Sequence, residues 1–158
     1  ARAFGAQPEL VLCDEITSAL DVSVQAAVLE LLDDLRRDND TSYIFVSHDL
    51  AVVRALSDRV AVLYQGRLCE LGGTQDVYGP VSHPYTEVLL GAVLEPDPDF
   101  APTLAASDVV ELAPPAQGCP FQRRCPKRVG TICDDVAPPR RTFSGGHVIW
   151  CHREDLEP

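Results

Sequence analysis

Two adjacent carboxylates, Asp14 and Glu15, close the apolar run Leu10-Val11-Leu12-Cys13. A run without polar alternation reads as a buried strand of a parallel sheet. Such sheets present ligands at the C-terminal edges of their strands. Neighbouring side chains on an extended strand point to opposite sides. One carboxylate can therefore face a Mg2+ shell while the next faces a water, which is equipment for hydrolysis at a phosphate. Alone the pair says little, because many apolar strands end in an acid. Two further groups strengthen it. Ser18-Ala19-Leu20-Asp21 follows at once and opens a helix. Ser47-His48-Asp49 then ends the next strand-like run, Ser42 to Ser47. Two consecutive parallel strands place Glu15 and His48 on one edge, where the imidazole can bond a γ-phosphate and, with Glu15, hold the attacking water.

The elements that must position these groups are legible in outline. Glu9 to Asp14 is the first strand. From Val22 to Arg37, Val24, Val28, Leu31 and Leu35 share one face of a 3.6-residue period. Asp21 is placed to cap that helix, and Arg36 and Arg37 suit its last turn. Ser42 to Ser47 is a second buried strand, Leu50 to Leu56 a short helix and Arg59 to Gln65 a third strand. Gln65-Gly66 turns into Arg67 to Leu71, a hairpin partner at the sheet edge. Gly72-Gly73 breaks the chain, Thr74 caps a short helix to Tyr78, and another helix runs from Tyr85 to Val93 after Pro84. Strand alternating with helix implies a mainly parallel α/β sheet. Residues 96–115 hold Pro96, Pro98, Pro102, Pro114 and Pro115 and read as a linker. From Gly118 the chain is rich in Cys and Arg with little periodicity, and such a segment needs a staple to be ordered.

Composition narrows the field. The 158 residues carry 13 Lys+Arg against 24 Asp+Glu, a net charge of −11. That acidity disfavours phosphate backbones, so nucleic-acid binding is set aside. No apolar run approaches the ~20 residues of a spanning helix. Methionine is absent and the chain begins Ala1-Arg2-Ala3, which reads as a fragment lacking its N-terminal part. Cys13 and Cys69, in apolar runs, read as small buried hydrophobes.

The stretches LVLCDEITSALDVSVQ and IFVSHDLAVVRALSDRVAVLYQGRLCELG resemble the C-terminal half of an ABC-transporter nucleotide-binding domain, without gaps over residues 1–80. The resemblance implies an α/β fold, the C-terminal part of a P-loop NTPase (ABC) domain. By it, Asp14 is the Walker B aspartate that holds Mg2+ and Glu15 the general base acting on water. Ser18 to Asp21 is the D-loop, reaching the nucleotide site across a dimer of two such domains, and His48 is the switch histidine. Ala1 to Phe4 is similar to the end of the helix that follows the signature motif. Ile16 stands where many members have Pro. Neither a G-x-x-x-x-G-K-[ST] loop nor an LSGGQ signature occurs, so the phosphate grip is missing from these residues. The expectation is that this stretch alone binds ATP poorly and supplies part of a site.

Ser82-His83-Pro84-Tyr85-Thr86 is similar to the segment that opens the C-terminal extension of oligopeptide and dipeptide importer ATPases; nickel importers of the same branch share it. Gly118-Cys119-Pro120-Phe121, Arg124-Cys125-Pro126, Cys133 and Cys151 also look like that extension, which would occupy residues 81–158. The spacing C-x5-C-x7-C-x17-C leaves a 4Fe–4S cluster, a Zn2+ or two disulfides open. Zinc sites favour close Cys pairs, disulfides are rare beside a cytosolic ATPase, and clusters tolerate uneven spacing. The resemblance implies the cluster, with a structural role; His147 and His152 are possible substitute ligands. The implied function is ATP hydrolysis energising peptide uptake. The implied partners are a second ATPase domain, two membrane permeases and, indirectly, an extracytoplasmic solute-binding protein, at the cytoplasmic face of the plasma membrane. Rival readings are a soluble ABC ATPase without a permease and a non-enzymatic metal-binding module on a degenerate ATPase half.

Overall fold

The computed structural model describes residues 4–17, 20–94 and 115–156. Ser18 and the proline-rich span 96–114 lie outside the described residues. The fold is mixed α/β, with one parallel and one antiparallel sheet. It divides into two compact units between Ser57 and Asp58. No described helix is long and apolar enough to cross a membrane.

The first unit opens with a 3-10 turn at Phe4–Ala6, followed by β1 (Leu10–Asp14), α1 (Val22–Asn39), β2 (Ser42–Val46) and α2 (Leu50–Leu56). β1 and β2 pair in parallel with Leu10 opposite Ser42 and Asp14 opposite Val46. Asp21 caps α1 by accepting from the Val24 N–H at 2.9 Å. Asp40 ends the helix in the left-handed conformation at φ 51°, which Asx residues tolerate. Arg36 and Arg37 both pair with Asp33, offsetting the carbonyl end of the dipole. Tyr43 ties the sheet to α1 by donating to the Leu32 carbonyl at 2.9 Å, and Phe4, Tyr43 and Phe45 stack edge to face.

The two strands are not buried on both faces, as their apolar sequence predicts. Cys13 is buried, but Leu10, Leu12, Ile44 and Val46 are 54%, 66%, 50% and 47% exposed. They share a single face because side chains alternate along each strand and the register sets the two strands side by side.

The second unit holds β3 (Arg59–Tyr64), β4 (Arg67–Gly73), α3 (Thr74–Val77), α4 (Pro84–Leu94), α5 (Ile132–Asp135), β5 (Arg140–Thr142) and β6 (Val148–Trp150). The hairpin β3–β4 forms as its Gln-Gly turn predicts: Gln65 and Gly66 take φ of 47° and 75°, the geometry of a two-residue type I′ turn. Sheet membership differs from the sequence expectation. β3 does not extend a parallel sheet, and β4 is not an edge. The order is β3-β4-β6-β5, all antiparallel. Strands of three residues, β5 and β6, leave no periodic signal, so the partner of β4 is invisible in the sequence. Thr74 is the first residue of α3 rather than its cap, which is Gly73. Pro84 opens α4, as its fixed φ and missing N–H favour. The core of this unit centres on Phe121 and Ile149, both fully buried. The Phe121 ring meets Tyr64 and Tyr85 at 5.1 and 5.3 Å between centroids.

Candidate functional site

β1 delivers Asp14 and then Glu15 at its C-terminal end, and β2 delivers His48 two residues beyond its own. The parallel register sets these ends level, because the Glu15 N–H still donates to the Val46 carbonyl at 2.9 Å. His48 Nδ1 lies 3.3 Å from Glu15 Oε1. Both side chains are open, 74% and 54% exposed, so the pair faces solvent or a ligand rather than a core.

The two carboxylates do not both lie on an extended strand, as alternation along it requires. Glu15 is no longer extended; it sits at φ 45°, in the left-handed region that costs a residue with a Cβ about 1 kcal/mol or more. The chain turns there, leaving Asp14 as the last strand residue and Glu15 on the turn. Asp14 is exposed at the strand end, open to a hard cation. Asp21 is engaged locally: its Oδ1 accepts from the Val24 N–H and from the Ser23 hydroxyl at 2.7 Å. These bonds, the backbone one first, hold its carboxyl below the usual range.

The sequence does not single out Asp49 beyond its place after His48, yet it organises this edge. Oδ1 accepts from the Ala51 and Val52 N–H groups at 3.0 and 3.2 Å and caps α2, while its own N–H donates to the Ser47 hydroxyl at 3.0 Å. Gln25, on the first turn of α1, donates to Oδ2 at 3.0 Å. Gln25 carries no sequence signal, since an amide on a helix reads as solvated surface.

In the second unit Cys119 and Cys133 are buried in one cluster with Phe121, and Cys125 packs against it. Cys151 lies in a cluster with Ile149 and Leu156. All six cysteines of the chain are free. Burial, helped by the charge of the other thiols, pushes Cys119 and Cys151 up and Cys125 to about 11. Buried thiols within one another's field suit a thiolate-bound metal in donor chemistry, since a cation would offset their charge. Their present arrangement is not a ligand shell: among the described residues no group of three or more His, Cys, Asp or Glu is placed to hold a metal ion. The two histidines considered as substitute ligands are engaged elsewhere. His152 Nε2 lies 2.9 Å from the Val136 carbonyl, and His147 Nε2 lies 2.7 Å from Glu70 Oε1.

Glu70, on β4, is the second residue that sequence reasoning passes over. It is fully buried and accepts from the His83 N–H at 2.9 Å and from the Thr86 hydroxyl. Two residues of the Ser82–Thr86 segment and one from the turn before β6 thus converge on one carboxylate. Burial pushes that carboxyl up, against the lowering by its donors.

Residues 69–133 match the model of the oligopeptide/dipeptide transporter C-terminal region. The similarity extends well beyond that region. A Brucella ovis protein named for peptide import and ATP binding is 41% identical over 99% of this chain and 50% of its own length. A Brucella abortus protein named likewise is 43% identical over 96% of the chain and 45% of its own. The dipeptide transport ATP-binding protein DppD of Bacillus subtilis is 40% identical over 98% and 46%. The chain spans about half the length of these relatives.

Proposed function

We propose that this chain is the C-terminal half of the ATP-hydrolysing subunit of a peptide ABC importer, and that it carries the water-activating side of the ATP site. The observation that carries this reading is the pairing of Glu15 with His48 at 3.3 Å, on the level ends of adjacent parallel strands. Asp14, exposed on the neighbouring strand end, would hold Mg2+. Glu15 takes the proton of the attacking water as general base, work worth about 10²–10⁴ in rate once the substrate is positioned. His48 holds Glu15 in place through one ring nitrogen and reaches toward the γ-phosphate with the other. The D-loop from Ser18 to Asp21 faces a second ATPase domain across the dimer. The phosphate grip comes from residues upstream of these in the full subunit.

The peptide-transport reading rests on the 69–133 match and on the printed names of the relatives. It brings with it two permease subunits, a solute-binding protein acting through them, and a peripheral place on the cytoplasmic face of the membrane. Residues 1–80 would form the ATPase part and 81–158 the extension. In that extension Cys119, Cys125, Cys133 and Cys151 would hold a 4Fe–4S cluster, with Zn2+ the alternative; their burial and the effect of each thiol's charge on the others support that reading, and no step of hydrolysis passes through it.

The test is Glu15→Gln in the full-length subunit. The amide keeps the shape and loses the base. ATP should still bind with wild-type affinity while turnover drops by at least 10²-fold. Retained turnover would remove Glu15 from this role.

A further inference from the structure

His48 sits on a loop, and its ring is largely in solvent. An exposed ring held to Glu15 by one contact of 3.3 Å does not fix its own orientation, so that orientation must come from the backbone on either side. Two groups of bonds supply it. On the near side the Asp49 N–H closes onto the Ser47 hydroxyl, a tight turn that brackets His48. On the far side the Asp49 carboxylate uses one oxygen to cap α2 and the other to receive Gln25 Nε2 at 3.0 Å. Gln25 belongs to the first turn of α1, the helix that Asp21 caps directly after the 18–21 segment. Both Gln25 and Asp49 are half-buried, which shields their bond from competition with water. The same bond is the largest cause holding the Asp49 carboxyl below its usual range, so the contact is charge-assisted.

We propose that Gln25 is a positioning residue for ATP hydrolysis: its amide locks Asp49, and through Asp49 the His48 loop, to the start of α1. This rests on the ATPase reading above. Gln25 acts on the reaction only through Asp49, to which its amide donates. Its effect reaches the reaction because α1 begins where the 18–21 segment ends, so the first turn of that helix and the histidine move as one body. Without the amide, Asp49 still caps α2, and the loop between β2 and α2 is free to rotate His48 away from Glu15. Such a change weakens what is made in the transition state and leaves ground-state binding of ATP alone.

The experiment uses the full-length subunit assembled with its permeases, with ATPase kcat and KM measured for four variants. Gln25→Ala should lower kcat roughly tenfold to a hundredfold, the worth of one charge-assisted hydrogen bond, with KM within twofold of wild type. Gln25→Lys, which restores a donor to Asp49, should recover most of that loss. Asp49→Asn should lose less than Gln25→Ala, because the new side-chain oxygen keeps the cap and the Gln25 amide can flip to accept, leaving only the charge missing; a larger loss than in Gln25→Ala would overturn the role of Gln25. Glu15→Gln calibrates the underlying reading. Equilibrium binding of a fluorescent ATP analogue reports whether each variant is folded. An inactive Glu15→Gln with wild-type kcat in Gln25→Ala overturns the role of Gln25 alone. An effect confined to KM, or no recovery in Gln25→Lys, overturns it as well. Turnover in Glu15→Gln overturns the ATPase reading itself.

Discussion

Gly118 and Gly130 both take positive φ, at 77° and 53°, and they need it for different reasons. A Cβ on Gly130 would meet nothing within 4 Å, so an alanine there costs only the left-handed backbone, about 1–2 kcal/mol. A Cβ on Gly118 would collide with the carbonyl groups of Cys133 and Asp134. These are backbone atoms that cannot swing aside, and the Cys119 N–H donates to that Cys133 carbonyl at 2.8 Å. Gly118→Ala should therefore destabilise the second unit by at least about 3 kcal/mol, the backbone cost plus a broken contact. Gly130→Ala should stay below about 2 kcal/mol. Trp150, the one tryptophan of the chain, lies on β6 of that unit and reports unfolding in urea without a label. Equal losses in the two variants would mean that the Gly118 turn gives way without cost. The same scale separates what the sequence discloses at the site from what it hides. Glu15 and His48 are legible as neighbours because apolar runs of similar length precede each. The turn at Glu15 is not, since a positive φ at a glutamate has no signature in residue type. Gln25 and Glu70 are not, because an amide on a helix and an acid on a strand both read as surface until the partner strand or loop is in place.

At the scale of elements, regular periodicity explains which parts can be read. The bounds of α2 and the course of α1 follow from the spacing of their apolar residues, and β1, β2 and β3 follow from unbroken apolar runs. What fails is the assignment of strands to sheets. The β3–β4 hairpin is extended by strands of three residues whose sequence carries no alternation, and register alone decides that union. The join is secured at α4. His83 precedes Pro84 and acts as a cap: its Nδ1 accepts from the Tyr85 N–H at 3.0 Å and its carbonyl from the Glu87 N–H at 3.0 Å. Around it stand Glu70, Thr86 and His147, with the Phe121 ring beside it and the Arg153 charge within its field. Burial first, and then Arg153, pull the His83 imidazole down from 6.5 to about 4. A base with a depressed folded value stabilises the fold above its unfolded value and loses that stability as pH falls, because only the unfolded chain takes up the proton. From pH 8 to pH 5 the loss from His83 is about 2 kcal/mol. Glu70 works in the opposite sense. Its raised value makes its contribution fullest in acid and smaller as pH rises through that value. His83→Asn keeps an acceptor for the Tyr85 N–H and removes the titration. Urea unfolding at pH 8 and pH 5, read by Trp150, should show about 2 kcal/mol less acid loss in the variant than in the wild type. An identical pH dependence would exclude His83 as the acid-sensitive group.

At the scale of the molecule, the extension is ordered by more than its cysteines. A Cys- and Arg-rich segment without an apolar period is expected to depend on a staple. Three ties that need no metal are already present: β6 pairs with β4 at Glu70–Ile149 and Leu71–Val148, His147 bonds the buried Glu70, and Phe121 packs against both Tyr64 and Tyr85. The four cysteines lie on both sides of these ties in the sequence, Cys119, Cys125 and Cys133 before β5 and Cys151 just after β6. If the proposed cluster is bound, full-length subunit purified without oxygen should be brown and contain equimolar iron and sulfide. A colourless protein with one zinc per chain would exclude the cluster and leave zinc. Removing the metal should then have an uneven effect. Hydrogen exchange should rise at least about tenfold around Cys119–Arg124, whose backbone is held by turns and by the Cys133 carbonyl. It should change little at Glu70, Leu71, Val148 and Ile149, because strand pairing and the Glu70–His147 bond hold those amides independently. Loss of protection across both sets would make the metal the organiser of the whole extension and reduce the strand pairing to a consequence of its binding.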